Sequence, residues 1–262
     1  MPNPAVTAAP IEDVPSLDID GAMATIRLNR PKFHNRIEPA DIAELWRLLD
    51  SIDVEPALRV VVITATGRSF SSGFHIGEIG RLDEASGPTL DQLIDRLERF
   101  RLPVVCALNG GVYGGATDLA LACDFRVGVA GMQMFMPAAK LGLMYYRGGL
   151  ERYVSRLGVD SAKRLFFLAD KLDANELLRI GFLTDLVAPG ELAAHVGRIA
   201  ATLAERAPLA VQGMKRALND LARGDADSLA IDAAVATNRQ TQDLAEGQRA
   251  WLEKRPPVFR GI

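Results

Sequence analysis

The stretch Asn109 to Asp124, NGGVYGGATDLALACD, holds the residue types best suited to chemistry in this chain. The apolar run Val104 to Leu108 predicts a short buried strand leading into it. Four glycines follow, Gly110, Gly111, Gly114 and Gly115, and then Ala116 to Ala122, a good helix sequence. A strand, a glycine-rich turn and a helix leave backbone N–H groups unpaired at a helix N-terminus. Such donors, helped by the helix dipole, suit an oxygen that becomes negative during a reaction. Asp118 lies three residues beyond Gly115. Helical side chains lean back toward the N-terminus, so its carboxylate is expected to point at the same spot. A tightly packed turn, with Asp118 as an N-terminal helix charge, fits the same local pattern.

Elements on either side must position these groups. Leu17 to Asp20 and Ala24 to Leu28 flank Gly21-Ala22 as a hairpin. Pro39 starts a helix through Ile42, Leu45, Leu48, Leu49 and Ile52. RVVVIT, Arg59 to Thr64, reads as a strand covered on both faces, and 67–75 as an irregular loop at its C-terminal end. Thr89 to Phe100 predicts an amphipathic helix. Two short strands follow Asp124, helices cover about 150–157, 160–169 and 173–180, and Leu183 to Val187 is a last strand. From about 190 to 254 the pattern is helical, broken at Pro208 and Gly224. Helix–strand alternation followed by a helical tail predicts an α/β fold.

Composition narrows the partners. Of 262 residues, 48% are hydrophobic, and 33 acidic against 30 basic side chains give a net charge of −3. That balance offers no basic footprint for nucleic acid. No apolar run approaches a bilayer span. The Pro- and Ala-rich first fifteen residues lack the pattern of a signal peptide and read as a loose leader. Cys106 and Cys123 fall in buried segments without metal-ligand spacing, as in a reducing, cytoplasmic protein. No metal site is expected.

With the segments placed, the chain resembles the crotonase, or enoyl-CoA hydratase/isomerase, superfamily over nearly its whole length. Leu28-Asn29-Arg30-Pro31-Lys32 is similar to the family's LNRPK, and Phe70-Ser71-Ser72-Gly73-Phe74-His75-Ile76 to its FSAGADL. The 109–124 stretch is similar to NGxAxGGGxELAxxCD. Phe135-Met136-Pro137, Leu141-Gly142-Leu143 and Gly148-Gly149 track FxxPE…LGLxPxxGG, and WLEKRPPVF at 251–259 resembles FLEKRxPxF. Five such segments in order are specific where one is weak.

The resemblance implies a crotonase-like spiral of repeated ββα units over about 16–200 and an α-helical C-terminal region over 201–262. It also implies a homotrimer or a hexamer built as a dimer of trimers. The expected ligand is an acyl-CoA thioester, with coenzyme A part of the substrate and no permanently bound cofactor. By motif position, Phe74 N–H and Gly115 N–H hold the oxygen of an enolate-like intermediate, and Asp118 stands for the first of the two glutamates with which hydratases handle water. The second falls on Ala138, which has no proton to exchange. Isomerisation or decarboxylation is therefore expected over efficient hydration, and thioester hydrolysis stays open. Glu78 or Glu151 could compensate, and a non-catalytic acyl-CoA-binding scaffold is the competing class. Tyr145, where many members carry proline, is a candidate donor to the acyl group, and Arg147 a partner for an acidic acyl tail. His75 replaces the usual aspartate and is a further catalytic candidate. CoA is expected at Lys32, Phe33, Ser72, Ile76 and Lys254. Lys215 and Arg216 are left as surface charge.

Overall fold

A computed structural model describes residues 13–78, 80 and 87–262. The proposed leader thus falls mostly outside the described residues. The first hairpin forms as expected, β1 (Ser16–Asp20) antiparallel to β2 (Met23–Leu28). Helix α1 (Pro39–Asp53) opens on Pro39 and buries Ile42, Leu45, Leu48, Leu49 and Ile52. Strand β3 (Val60–Ala65) is buried on both faces and pairs in parallel with β2 on one side and β5 (Val104–Leu108) on the other. Its β-branched run suits a strand with no solvent face.

Between these lie β4 (Ser69–Ser71), within the stretch expected to be a loop, and α2 (Leu90–Glu98). The glycine-rich connection also hides a strand, β6 (Gly111–Tyr113), before α3 (Gly115–Ala122). Strands β7 (Phe125–Val129) and β8 (Gln133–Phe135) come next, then α4 (Arg147–Leu157) and α5 (Val159–Lys163), which runs into a π-helical turn at Arg164–Leu168. The rest comprises β9 (Leu172–Asp173), α6 (Ala174–Arg179), β10 (Asp185–Val187) and the helices α7 (Leu192–Ala204), α8 (Pro208–Arg223), α9 (Ser228–Asn238) and α10 (Gln242–Glu253).

Two sheets result. One runs β1-β2-β3-β5-β7-β10 and the other β4-β6-β8-β9. Each successive turn of chain gives one strand to the long sheet, one to the short sheet and then a helix: β3, β4, α2; β5, β6, α3; β7, β8, α4. The sequence shows no matching repeat, because burial constrains residue class and not identity. Helix α7 runs unbroken through residue 200 and packs on β3, β5 and β7. Both cysteines are fully buried. Lys215 is not surface charge. It is buried, donates to Leu102 O at 2.8 Å and pairs with Asp124 at 2.8 Å.

Candidate active site

The short sheet ends where the loop after β4 meets the start of α3. Asn35 ties the 29–37 loop to this point: its Nδ2 donates to Thr66 O and Ser69 O, and its Oδ1 accepts from Arg30 N. Ser72 N donates to His34 O. Beyond it the amides alternate. Gly73 N donates to Ser71 Oγ at 3.1 Å and His75 N to Ile37 O at 3.0 Å. In extended backbone successive N–H groups point to opposite sides, so Phe74 N–H, between them, faces away from Ile37. Among the described residues it has no acceptor.

The start of α3 supplies a second unpaired amide. Gly114 N donates to Phe135 O, and Thr117 N donates back to Gly114 O. Gly115 N–H, at the first helical position, has no described acceptor, as the helix terminus dictates. The two amides are brought together by glycines. Gly73 has φ +91°, and a Cβ there would lie 2.6 Å from Tyr113 O and 3.3 Å from Gly115 N. A Cβ on Gly115 would stand 4.0 Å from Phe74 N but only 2.7 Å from Leu90 Cδ2. Close approach of the two backbones requires that residue 73 carry no side chain, whereas a methyl group at 115 would press on the tip of Leu90.

Both amides border a cavity of about 510 Å³. Its walls include Leu90 and Asp91 from α2, Met136, Pro137 and Ala138 after β8, and Leu141, Leu143, Tyr145 and Tyr146 before α4. Ser72, Ile76 and Glu78 also line it. Ala138 occupies the wall as a bare methyl group, 3% exposed.

Asp118 does not reach this cavity. It is fully buried behind the tyrosines. Oδ1 accepts from Arg152 Nη1 at 2.7 Å, and Oδ2 accepts from Tyr146 OH at 2.6 Å and Tyr145 OH at 3.1 Å. The lean of helical side chains predicted a carboxylate aimed at the amides. Arg152 on α4 holds it elsewhere. Burial pushes the Asp118 carboxyl up, while Arg152 and the two phenols draw it back in part. Burial also raises both phenols well above their ordinary range, reinforced by the adjacent carboxylate. For Arg152 burial acts to lower the pKa but is outweighed by Asp118, Tyr146 and Glu98, so the guanidinium stays charged.

Arg152 is itself a hub. Its Nη2 reaches Asp95 Oδ1 at 2.7 Å, and its Nε lies 3.2 Å from Glu98 Oε1, without hydrogen-bond alignment. Glu98 also meets Arg156 at 3.3 Å and Arg223 at 3.0 Å. Burial would raise Glu98, but these three arginines hold its carboxyl below the ordinary value. Tyr146, Arg152, Asp95 and Glu98 were not anticipated as a group. No spacing along the chain links them, and only the packing of α2, α3, α4 and α8 brings them together.

Other expected site residues separate. Tyr145 lines the cavity, but its hydroxyl proton is committed to Asp118. His75 turns its Nδ1 to Glu38 Oε2 at 2.9 Å and is off the wall, because α1 offers a carboxylate on that side. Arg147 is exposed and paired with Glu151 at 2.5 Å; neither lines the cavity. Phe33 is exposed beneath the Arg36 guanidinium, 5.3 Å from the ring centre. Lys32 and Lys254 are exposed and also off the wall, Lys254 as the left-handed cap of α10. No group of three or more His, Cys, Asp or Glu residues is placed to hold a metal among the described residues. Nor is any described helix long and apolar enough to cross a membrane.

A family description for enoyl-CoA hydratase/isomerase matches residues 18–261. The chain belongs to that family. This enoyl-CoA hydratase/isomerase family member is 32% identical over 253 residues to a crotonyl-CoA hydratase of Syntrophomonas wolfei, covering 93% of this chain and 96% of that one. It is 30% identical to a 2,3-dehydroadipyl-CoA hydratase of Escherichia coli, covering 90% and 94%. Among solved structures, an enoyl-CoA hydratase from Bacillus anthracis superposes with a TM-score of 0.87 at 28% identity, covering 95% and 99%. The fold is that of crotonase: α/β, with a helical C-terminal region. The protein is an acyl-CoA enzyme of this family.

Proposed function

We propose that this enzyme receives the thioester oxygen of an enoyl-CoA between Phe74 N–H and Gly115 N–H and shifts the acyl double bond by proton transfer. The observation that carries the reading is two unpaired amides on one cavity whose wall has a methyl group at Ala138 and leaves Asp118 behind two tyrosines. Preorganised donors of this kind contribute roughly 3–4 kcal/mol each to an oxyanion in the transition state. Two-carboxylate hydration lacks both of its expected acids on the wall. Asp118 acts as a positioning residue that holds the rings of Tyr145 and Tyr146. The mostly apolar lining favours an apolar acyl group. Arg147, engaged with Glu151, offers nothing to an acidic tail. Ser72 and Ile76 meet the pantetheine arm, while Lys32, Phe33 and Lys254 are left for the nucleotide end.

Hydration is the second reading, favoured by the relatives named hydratases and by wall carboxylates at Glu78 and Asp91. One experiment separates them: a 3-enoyl-CoA and its 2-enoyl isomer are offered separately, and products are identified by mass. Isomerisation converts the first without mass change. Addition of water to the second, faster than isomerisation of the first, refutes the proposal. Exposed apolar side chains on the C-terminal helices, Leu229, Trp251 and Leu252 among them, support a trimer or a pair of trimers. Two free buried thiols support a reducing, cytoplasmic setting.

A further inference from the structure

With Asp118 sealed away and Ala138 inert, the proposed proton shift needs another base. We infer that Asp91 is the catalytic acid–base of this site, an assignment that rests on the isomerase reading above. Asp91 lines the cavity on the first turn of α2, directly after Leu90, whose Cδ2 abuts Gly115. That turn is anchored: Thr89 N donates to Gln92 Oε1 at 3.0 Å, and Thr89 Oγ1 donates to Asp91 Oδ1 at 2.5 Å. The hydroxyl fixes one carboxylate oxygen. Oδ2 has no partner among the described residues and is left to take a proton. Placement on a packed helix gives the precision that proton transfer between two carbons demands. The contrast with Asp118 is direct, because every oxygen of Asp118 is occupied.

The step balances without any co-reactant. On a 3-enoyl thioester, Asp91 Oδ2 takes a proton from C2, and the C2–H electron pair enters the conjugated system. The resulting dienolate carries its charge on the thioester oxygen, held by Phe74 N–H and Gly115 N–H. The C3–C4 double bond moves to C2–C3 as C4 accepts the proton back from Asp91. The carboxylate is regenerated, and nothing is oxidised or reduced.

Exchange of C2 protons tests this apart from product identity. The full-length enzyme is incubated with a 3-enoyl-CoA in D2O, and deuterium uptake is read by mass. Asp91→Asn, nearly isosteric and able to keep the Thr89 contact, should slow uptake and isomerisation by about 10²–10⁴-fold. Calorimetric affinity for a saturated acyl-CoA should stay within about threefold, and the thermal transition should be unchanged. Asp118→Asn and Glu78→Gln should each retain more of the exchange than Asp91→Asn. Wild-type exchange rates in Asp91→Asn overturn the assignment while leaving the isomerase reading standing, as does a larger loss in Glu78→Gln or Asp118→Asn. A wild-type enzyme that neither exchanges nor isomerises overturns both.

Discussion

Two regions of α3 manage negative charge in opposite ways. At its first residue, Gly115 N–H, near Phe74 N–H of the loop after β4, is left without an acceptor among the described residues beside a cavity. One turn on, Asp118 is surrounded by donors that leave no oxygen over. The first arrangement is incomplete until a ligand supplies an oxygen, while the second is complete in the folded protein. An unpaired donor at a cavity wall can stabilise charge that arises during a reaction. A fully paired carboxylate can hold neighbouring rings in place, but has no room to exchange a proton with substrate.

The largest effect is expected from opening the closed region. Arg152→Met strands a buried carboxylate, and should destabilise the fold by about 3–5 kcal/mol. Chemical denaturation measures it, and a loss below about 1 kcal/mol means that Asp118 finds another partner. Spoiling the open region should act on rate instead. Gly73→Ala puts a methyl group 2.6 Å from Tyr113 O at a positive φ, and displacing one oxyanion donor should reduce kcat by about 10²–10³-fold. Retained turnover would detach Phe74 from the chemistry. Gly149→Ala presses on both regions, since its Cβ would lie 2.3 Å from Tyr145 Cε1 and 2.7 Å from Asp118 Oδ2. Overpacking of this kind costs about 1–3 kcal/mol, read as a lower Tm together with altered acyl-chain preference.

A smaller effect concerns pH. The folded state holds Glu98 below its ordinary value, so its contribution to stability is present above the unfolded pKa of about 4.3 and is lost as pH falls through the folded one. Glu98→Gln should flatten the decline in stability across that acid range. An unchanged slope would show that the three arginines gain little from the ionised form. Least of all, Arg147→Ala removes an exposed ion pair that solvent largely screens. It should leave both Tm and the KM for a thioester with a carboxylate tail nearly unchanged. A marked rise in that KM would bring Arg147 back to the acyl group.

Much of this architecture was legible in the residues. The β-branched Val60 to Ile63, the heptad-like α1 and the run Val104 to Leu108 state their elements through periodicity alone. Gly110, Gly111, Gly114 and Gly115 marked the turn into α3, and the family resemblance pointed to the amides of Phe74 and Gly115. The charged residues misled. Asp118 was expected at the site from the lean of helical side chains and its motif position, and His75 from its motif position. Whether a side chain reaches a cavity depends on which partners later segments bring: Arg152 and two tyrosines for Asp118, Glu38 for His75. Lys215, which local pattern assigns to solvent, is buried where the distant Asp124 meets it.

Local sequence determined where strands, turns and helices begin, since those depend on backbone preference and on apolar spacing over a few residues. It also determined that Gly115 N–H would lack an intrahelical partner, because a helix start ensures that locally. Only the tertiary structure decided which carboxylate faces the cavity. Charged groups reach across tens or hundreds of residues for their counterions, and that pairing is a property of packed elements.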